Sequence, residues 1–336
     1  MLCRTAEDLY WVARSIERAE NTARLLDIAQ RIALLPERLD RGKATAAPWR
    51  RALDSLGIAG SYAASHATID AEGVVHHLLL SPANPNSIHS CLLRARENAR
   101  AQRVAITAEM YEDLNTSWLE MRRLDATRLR MNGLSDTLEW VKTRSASFRG
   151  VTIGTLGRGE GYHFLQLGAF IERADWAIRL LDLISSDDDL PETGEARDAV
   201  QYFQWSALLQ SLSAFETYRR LYRDSVSPAG VASLMLLNSD NPRSLQTCLG
   251  AAHRILQALS GGTPLEVVRQ AGALAAQSRY ARIDEIIAGG MEAWLQDTMA
   301  RLAGLGAEIH RQFMSTASAL PSGPTATRQA QWQTSA

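Results

Sequence analysis

Apolar residues recur along the chain at alternating steps of three and four positions. Two such stripes stand out, namely Leu9, Val12, Ile16, Ala19, Ala23 and Leu26, and then Phe164, Leu167, Ile171, Ala174, Ile178 and Leu181. This spacing places each set on one face of an amphipathic helix. Similar helical patterns continue through residues 87–122, 133–147, 197–222, 243–260, 264–278 and 284–313, whereas alternating strand patterns are scarce. The sequence therefore predicts an all-α protein.

The two stripes lie within nearly identical sequences. Residues 16–27 read IERAENTARLLD and residues 171–182 read IERADWAIRLLD, with eight of twelve positions identical. Three further matches keep almost the same spacing: LPE at 35 and 190, a tryptophan at 49 and 205, and NPNSIHSCL at 84 against NPRSLQTCL at 241. The offsets of 155 to 157 residues predict a tandem duplication of one helical unit. We expect two homologous helical-bundle halves, residues 1–150 and 151–315, related by a pseudo-two-fold axis.

Local signals predict where several of these helices begin. Thr5 with Asp8 has the character of an N-cap for the first repeated helix, and a glycine-rich stretch at 150–161 precedes the second. Ser87 and Ser244 each follow an Asn-Pro-x sequence, in which asparagine favours a turn and proline fixes φ. Both serines are therefore predicted to cap the helix that follows.

Three segments lack a helical pattern. Residues 36–48 and 184–196 carry proline and aspartate and are predicted to be surface connections. Residues 316–336 read TASALPSGPTATRQAQWQTSA and have no apolar stripe that could offset the entropy of ordering. They are predicted to form a disordered tail.

The charged residues of the repeated phrase are the first candidates for function. They are Glu17, Arg18, Arg24 and Asp27 in one copy and Glu172, Arg173, Arg179 and Asp182 in the other. Exposed ion pairs on a helix stabilise by only about 0.2–0.5 kcal/mol, so a solvated face should diverge between copies. Apart from chance, two interpretations stay open: partly buried pairs that lock two helices in register, which we favour, or a surface for a ligand or partner.

Two further charged groups are present in one half alone. The segment RARENARAQR includes Arg96 and Arg100, whereas its counterpart reads AAHRILQALS. Conversely, SAFETYRRLYR includes Glu216, Arg219 and Arg220, whereas its counterpart reads GIAGSYAASHA. Each group is either a solvated face or a ligand or partner site confined to one half.

Composition and charge exclude several classes of protein. The chain has 336 residues, with 36 Lys+Arg against 37 Asp+Glu, so no basic excess favours nucleic acid or anionic lipid. No run of 18 apolar residues predicts a membrane span, and charge follows the N-terminus too closely for a signal peptide. We therefore expect a cytoplasmic protein that contacts neither nucleic acid nor membrane.

The sequence shows no recognisable catalytic constellation. Cys3, Cys91 and Cys248 are odd in number and lack CxxC spacing, which favours reduced thiols and a packing role for the repeated pair Cys91 and Cys248. The seven histidines are scattered, and neither a HExxH nor a Walker A motif occurs. The sequence therefore predicts no metal site and no cofactor, although an enzyme built only of arginine and glutamate stays open.

The ordered motifs resemble one known family. TAEDLYWVARSIERAENTARLLD, NPNSIHSCLLRARENARAQR, GTLGRGEGYHFLQLGAFIERAD, SAFETYRRLY and NPRSLQTCL together resemble the bacterial alpha-E family, which is all-helical and named for its ER motif. The resemblance runs from residue 1 to about 313 and maps the ER motif onto Glu17–Arg18 and Glu172–Arg173. Such proteins are typically encoded beside, or fused to, a circularly permuted ATP-grasp protein and often a transglutaminase-like protein. The resemblance therefore implies a system that makes or processes peptide or amide bonds.

Two functional hypotheses follow from the residues and the resemblance. The first is an accessory component that binds an ATP-grasp ligase and helps to position its peptide-like substrate. The alternative is an enzyme acting on peptide or amide substrates, with arginines and glutamates at the seam between the halves forming its site.

Overall fold

The computed structural model describes residues 1–35, 46–185 and 194–315. Every regular element in these ranges is helical, which confirms the all-α prediction. A π-helical turn, His76–Leu80, follows the fourth helix. The helices are α1 (Cys3–Ala33), α2 (Ala47–Ser55), α3 (Ala59–Ala63), α4 (Ala71–Val75), α5 (Ile88–Ala101), α6 (Ala108–Met121), α7 (Ala126–Asn132), α8 (Leu134–Thr155), α9 (Glu160–Ser185), α10 (Glu195–Ser211), α11 (Phe215–Tyr222), α12 (Pro228–Leu236), α13 (Leu245–Ser260), α14 (Glu266–Tyr280), α15 (Ile283–Ala288) and α16 (Met291–Phe313).

Helices α1 and α9 form the centre of the protein and run in the same direction. Their polar contacts join residues whose numbers differ by 154 to 159, from the Met1 amino group and Glu160 at one end to Arg18 and Glu172 in the middle. A nearly constant difference is possible only for parallel helices in fixed register. All twelve residues of the two apolar stripes are buried, as expected for central helices that other helices surround.

The two central helices approach closely at Gly168. A Cβ atom built there would clash with the backbone carbonyl of Tyr10 on α1. The absence of a side chain at Gly168 therefore sets the distance between the helices.

The remaining helices surround this central pair. α5 and α8 pack against α1, while α13 and α16 pack against α9. α2 and α10 each contact both central helices, and α6 and α14 form an outer layer. The central pair is consequently enclosed on most sides, and α1 buries 20 of its residues, several of them charged.

Several predicted helix starts and ends can be compared with the structure. Ser87 and Ser244 accept hydrogen bonds from the backbone amides of Ser90 and Thr247, which confirms both caps. The predicted cap by Thr5 and Asp8 is wrong, because α1 begins at Cys3 and its N-cap residue, Leu2, makes no side-chain cap. Both side chains instead bind Gln102. Thr5 Oγ1 donates to Gln102 Oε1, and Gln102 Nε2 donates to the carboxylate of Asp8.

Three of the predicted continuous helices are divided. The pattern at 87–122 breaks after Ala101, and α6 starts anew behind a Thr107 N-cap. The pattern at 284–313 breaks at Gly290, whose φ of 94° is a left-handed value that favours glycine. The pattern at 197–222 breaks at Ser213, which also has a positive φ, of 56°. Short helices α2, α3, α4, α7 and α12 were not predicted.

The glycine-rich stretch is helical over its first half. α8 continues to Thr155, so Gly150 and Gly154 lie inside it, and only residues 156–159 separate α8 from α9. The expected boundary at residue 150 therefore falls within a helix. The tail at 316–336, all of the LPE match except Leu35, and most of the connections expected at 36–48 and 184–196 lie outside the described residues.

Replacing Gly168 by alanine should destabilise the protein by about 1–3 kcal/mol, because the new methyl group would push α1 and α9 apart. Gly150 is the matched control, since it is also a helical glycine but its Cβ position is open. Gly150→Ala should be neutral or stabilise slightly, through higher helix propensity. Urea unfolding of both variants checks this, and equal effects would contradict the close approach at Gly168.

Candidate functional site at the seam of the central helices

Glu172 of α9 is buried and fully occupied by hydrogen bonds. Arg14 Nε lies 2.6 Å from one carboxylate oxygen, and Arg18 makes two bonds, of 2.6 and 3.0 Å, one to each oxygen. Trp176 Nε1 adds a fourth donor at 3.1 Å. Arg18 also donates to Asn86 Oδ1 at 2.7 Å. We call these residues the Glu172 cluster.

Glu17 of α1 is held in the same way from the other helix. Arg173 donates to it through Nε at 2.9 Å and again through Nη2, and Arg149 Nη1 lies 3.1 Å away. The two ER dipeptides therefore cross: Arg18 of the first binds Glu172 of the second, and Arg173 of the second binds Glu17 of the first. With exposed fractions of 1% and 0%, Glu17 and Glu172 are among the most buried residues of the chain.

Glu20 extends this arrangement by one turn of α1. Arg24 binds it at 2.7 Å and Ser145 Oγ at 2.7 Å, and both Arg149 and Arg243 donate to it as well. Because Arg149 bridges the two carboxylates, Glu17 and Glu20 belong to one network. The Glu17–Glu20 cluster consists of these two glutamates with Arg24, Arg149, Arg173 and Arg243.

One arginine of each central helix binds a backbone carbonyl of a surrounding helix. Arg24 donates to the carbonyl of Ser211 at the end of α10, and Arg179 donates to the carbonyl of Ser55 at the end of α2, at 2.7 Å. An acid one turn earlier orients each of them, Glu20 for Arg24 and Asp175 for Arg179. These contacts satisfy carbonyls at helix ends, which lack partners within their own helices.

The arginines keep the buried carboxylates ionised. Burial alone would raise the pKa of Glu172, but the charges and hydrogen bonds of Arg14 and Arg18 lower it to about 2. Burial likewise opposes ionisation of Glu17, and Arg173 and Arg149 nevertheless hold its pKa below the usual range. Such carboxylates are weak bases at neutral pH, so neither suits general-base catalysis.

The structure brings together only some of the predicted candidates. Glu17, Arg18, Glu172 and Arg173 form buried pairs between the two central helices, as the preferred interpretation expects. The ion pairs of Arg24 and Arg179 instead lie within one helix, with Glu20 and Asp175, and these arginines reach other helices through backbone carbonyls. Asp27 is also buried near the seam, where it accepts from Arg31 and Ser211. Asp182 makes no contact with the ER dipeptides among the described contacts, and burial raises its pKa.

The other candidates lie away from the seam. Arg96 donates to Asn115 at 3.2 Å and to its neighbour Glu97, and Arg100 pairs with the same glutamate at 2.7 Å. On α11, Glu216, Arg219 and Arg220 are exposed to solvent. These two groups are thus separate surface features.

Three arginines of the seam were not among the site residues predicted from the sequence. Arg14 stands one turn before Arg18 on α1, and this i,i+4 spacing was a usable signal. Arg243 occupies the third position of NPRS, where the first half has Asn86, and both residues reach the seam. No local signal indicated Arg149, because its partners Glu17 and Glu20 precede it by about 130 residues.

Two surface cavities lie elsewhere. One, of about 850 Å³, is largely apolar and is lined by residues such as Leu34, Trp49 and Leu129. The other, of about 680 Å³, lies beside Trp140. Neither is lined by the ER dipeptides. The described residues contain no group of three His, Cys, Asp or Glu side chains placed to hold a metal ion.

The repeated cysteines are packing residues. Cys91 and Cys248 are fully buried. Burial raises the pKa of Cys91 to about 11 and that of Cys248 to about 12, despite nearby arginines. Both thiols stay protonated at neutral pH and are poor nucleophiles.

The fold and the seam define an all-helical protein whose two central helices are locked by crossed Glu–Arg pairs. The chain belongs to the Alpha-E family, described as a predicted alpha-helical domain with a conserved ER motif, and the match covers residues 1–314. None of the described helices combines the length and apolar character needed to cross a membrane.

The chain is also similar to longer mycobacterial proteins. An uncharacterized protein of Mycobacterium bovis (strain ATCC BAA-935 / AF2122/97) is 24% identical over 348 residues, covering 95% of this chain and 37% of that protein. Uncharacterized proteins of Mycobacterium tuberculosis strains CDC 1551 and H37Rv are 24% identical with the same coverage. The chain thus spans 37% of the length of these relatives. No solved structure shows a significant match.

Replacing Glu172 by alanine should cost about 3–5 kcal/mol, because it leaves Arg14 and Arg18 with uncompensated charge in a largely buried site. Glu17→Ala should behave alike, since Arg173 loses its carboxylate partner and Arg149 loses one of its two. The control is Glu266→Ala, which removes an exposed pair with Arg269 and should leave the thermal midpoint unchanged. Thermal and urea unfolding of the three variants provides the measurement, and a small effect at both buried sites would contradict the locking role.

Lowering the pH should reduce the free energy of unfolding, because the carboxylate of Glu172 becomes protonated. Because the pKa of Glu172 falls from 4.5 to about 2 on folding, its contribution is complete above the unfolded value and is lost as pH falls toward 2. Between pH 6 and pH 3 this loss amounts to about 2 kcal/mol. Glu172→Gln lacks the titrating group, so the stability difference between wild type and variant should shrink by that amount at pH 3. A pH-independent difference in urea unfolding would be the contrary result.

Proposed function

We propose that this protein is a non-catalytic accessory module that binds an ATP-grasp ligase and helps to position its peptide-like substrate. A transglutaminase-like protein would be a second partner in the same system for making or processing peptide or amide bonds. The proposal includes a cytoplasmic location, where the ATP used by such a ligase is available. It also includes the origin of the chain by tandem duplication.

The crossed ER pairs are the observation that carries this proposal. The residues that define the family are buried and bonded to one another, and the lowered pKa values of Glu17 and Glu172 make them weak bases. These groups hold the scaffold together. A scaffold of this kind supports a binding role better than the alternative of an enzyme with Arg/Glu catalysis at the seam.

Matched contacts in the two halves support the duplication. Arg24 binds Ser211 across the seam and Arg179 binds Ser55, at positions that the sequence repeat aligns. Tyr62 and Tyr218, which also align, each donate from the phenol oxygen to a backbone carbonyl at 3.2 Å, that of Thr68 or Ser225. A rotation that places each half on the other would also place each of these contacts on its counterpart. The matched contacts therefore favour a pseudo-two-fold axis parallel to α1 and α9.

The length of the relatives supports a modular role. This chain matches 37% of each mycobacterial relative, so the similar region there is joined to other sequence in the same polypeptide. A module that can be joined to another protein works beside it, which agrees with the fusion or neighbourhood to an ATP-grasp protein that the family resemblance implies.

The exposed face of α11 is the partner surface that we favour. Arg219 and Arg220 are exposed, and Leu221 adds an apolar surface with 45% of its area accessible. Arginine is enriched in protein interfaces, where it combines packing with charge. None of these side chains takes part in the seam, so they can be changed without disturbing the scaffold.

The test combines binding and activity with the purified ATP-grasp protein of the same host. We expect a stoichiometric complex by calorimetry, faster ATP-dependent ligation when the complex forms, and no turnover by this protein alone. The double variant Arg219→Glu, Arg220→Glu should weaken the complex at least tenfold. The double variant Arg269→Glu, Arg282→Glu makes the same charge change at other exposed sites and should bind normally.

Other outcomes would point elsewhere. Absence of a complex with the ATP-grasp protein would reject the proposed function. Turnover of a peptide or amide substrate by this protein alone, lost in a folded Glu172→Gln variant, would establish the enzyme alternative. Equal weakening by both double variants would place the interface away from α11.

A further inference from the structure

We propose that the Glu17–Glu20 cluster binds a small oxyanion, either a carboxylate or a phosphate group. The cluster sets four guanidinium groups, those of Arg24, Arg149, Arg173 and Arg243, around only two carboxylates. This leaves an excess of two positive charges. The inference concerns a site at the scaffold seam and does not depend on the proposed partner.

The charge excess is confined to a poorly solvated place. Burial is the main reason that the pKa of Arg243 falls to about 10. Attraction by Glu20 and Glu17 opposes this shift, and repulsion from Arg24 and Arg173 adds to it. The guanidinium is still protonated at neutral pH. Partly buried like charges of this kind are stabilised when a counter-anion joins them.

The arginines form the outer layer of the cluster. The side chains of Arg149, Arg173 and Arg243 are 27%, 13% and 14% exposed to solvent. Those of Glu17 and Glu20 beneath them are only 1% and 0% exposed. An anion can therefore approach the guanidinium groups from solvent without displacing the glutamates.

Asn21 supplies an independent sign of a missing acceptor. Its side chain is 2% exposed, and its Nδ2 donor has no hydrogen-bond partner among the described residues. Its Oδ1 lies 3.5 Å from Arg243 Nη1, which places the amide beside the same guanidinium. Buried donors are normally satisfied, so an unpaired one next to excess positive charge is consistent with an acceptor that a bound oxyanion would supply.

The Glu172 cluster on the other ER pair lacks this surplus of donors. Asn86, which aligns with Arg243, accepts from Arg18 at 2.7 Å and adds no charge. The other two cations there are already engaged. Arg14 donates to Glu172 and to the Tyr10 hydroxyl, and Arg94 donates to Ser15 Oγ and to the Pro85 carbonyl. These contacts use most of their donors, which is why we place the site on one side of the seam only.

The chemistry favours a ligand with at least two acceptor oxygens. Guanidinium groups bind carboxylate and phosphate through paired N–H donors, and an amide such as that of Asn21 can donate to a further oxygen. A peptide C-terminus, an acidic side chain or a phosphorylated metabolite would each present this group.

The test compares thermal midpoints in inorganic phosphate, glutarate and chloride at constant ionic strength. Bound anion stabilises the folded state, so the wild type should show a saturable rise of about 2–4 °C in phosphate or glutarate over chloride. Arg243→Asn, which installs the residue found in the first half, should abolish the rise while Arg24 and Arg149 still hold Glu20. Arg220→Asn removes one exposed charge and should retain it.

The two arms and the control separate the outcomes. A response to glutarate alone identifies a carboxylate site, and a response to phosphate alone identifies a phosphate site. Phosphate also stabilises proteins by exclusion from their surface, without a specific site. An equal rise in all three proteins, or no saturable rise in the wild type, would overturn the proposal. Isothermal calorimetry with phosphate checks the result if Arg243→Asn lowers stability by itself.

Discussion

The structure depends on keeping two buried carboxylates charged. Glu17 and Glu172 are almost without solvent contact, and an isolated carboxylate in such a place would cost several kcal/mol. Each is neutralised by an arginine of the opposite central helix, Arg173 for Glu17 and Arg18 for Glu172. Sliding one helix by a single turn, about 5.4 Å, would break both pairs together. The crossed pairs therefore fix register more than they add cohesion, a role for which buried polar groups are well suited.

This electrostatic lock requires close backbones. Gly168 lets α9 approach the Tyr10 carbonyl of α1. The distance allows the guanidinium groups to reach across with bonds near 2.6 Å. Packing and charge are thus coupled. A larger residue at Gly168 would separate the helices and would also lengthen the ion pairs. The destabilisation from lost packing and the destabilisation from weakened ion pairs should therefore not be additive.

Sequence reasoning captured what is encoded locally. The stripes predicted the central helices, and Ser87 and Ser244 predicted the N-caps of α5 and α13. Repetition of the ER phrase favoured buried pairs over a solvated face. Each of these signals lies within a few residues of the feature it predicts. The repeated phrase was informative because exposed pairs contribute so little that they need not persist.

Non-local features could not be predicted in the same way. The parallel direction of α1 and α9 and the bond from Arg149 to Glu17 depend on how helices far apart in the chain assemble. The divided helices escaped notice for a related reason, since the apolar period continues past Ser213 and Gly290 although the backbone turns there. Thr5 and Asp8 were misassigned because Gln102, nearly 100 residues away, binds them both.

The positions at which the two halves differ are where function has room to lie. Burial and pairing constrain Glu17, Arg18, Glu172 and Arg173, so these residues cannot be changed freely to suit a ligand. The third residue of the Asn-Pro-x-Ser turn is under a weaker constraint, because both Asn86 and Arg243 are compatible with the same capped helix. Arginine there adds a fourth guanidinium group to a cluster that has two carboxylates. A seam that is symmetric in its structural pairs can in this way become asymmetric in charge, and that asymmetry distinguishes the ligand-binding side that we infer from the side that serves packing alone.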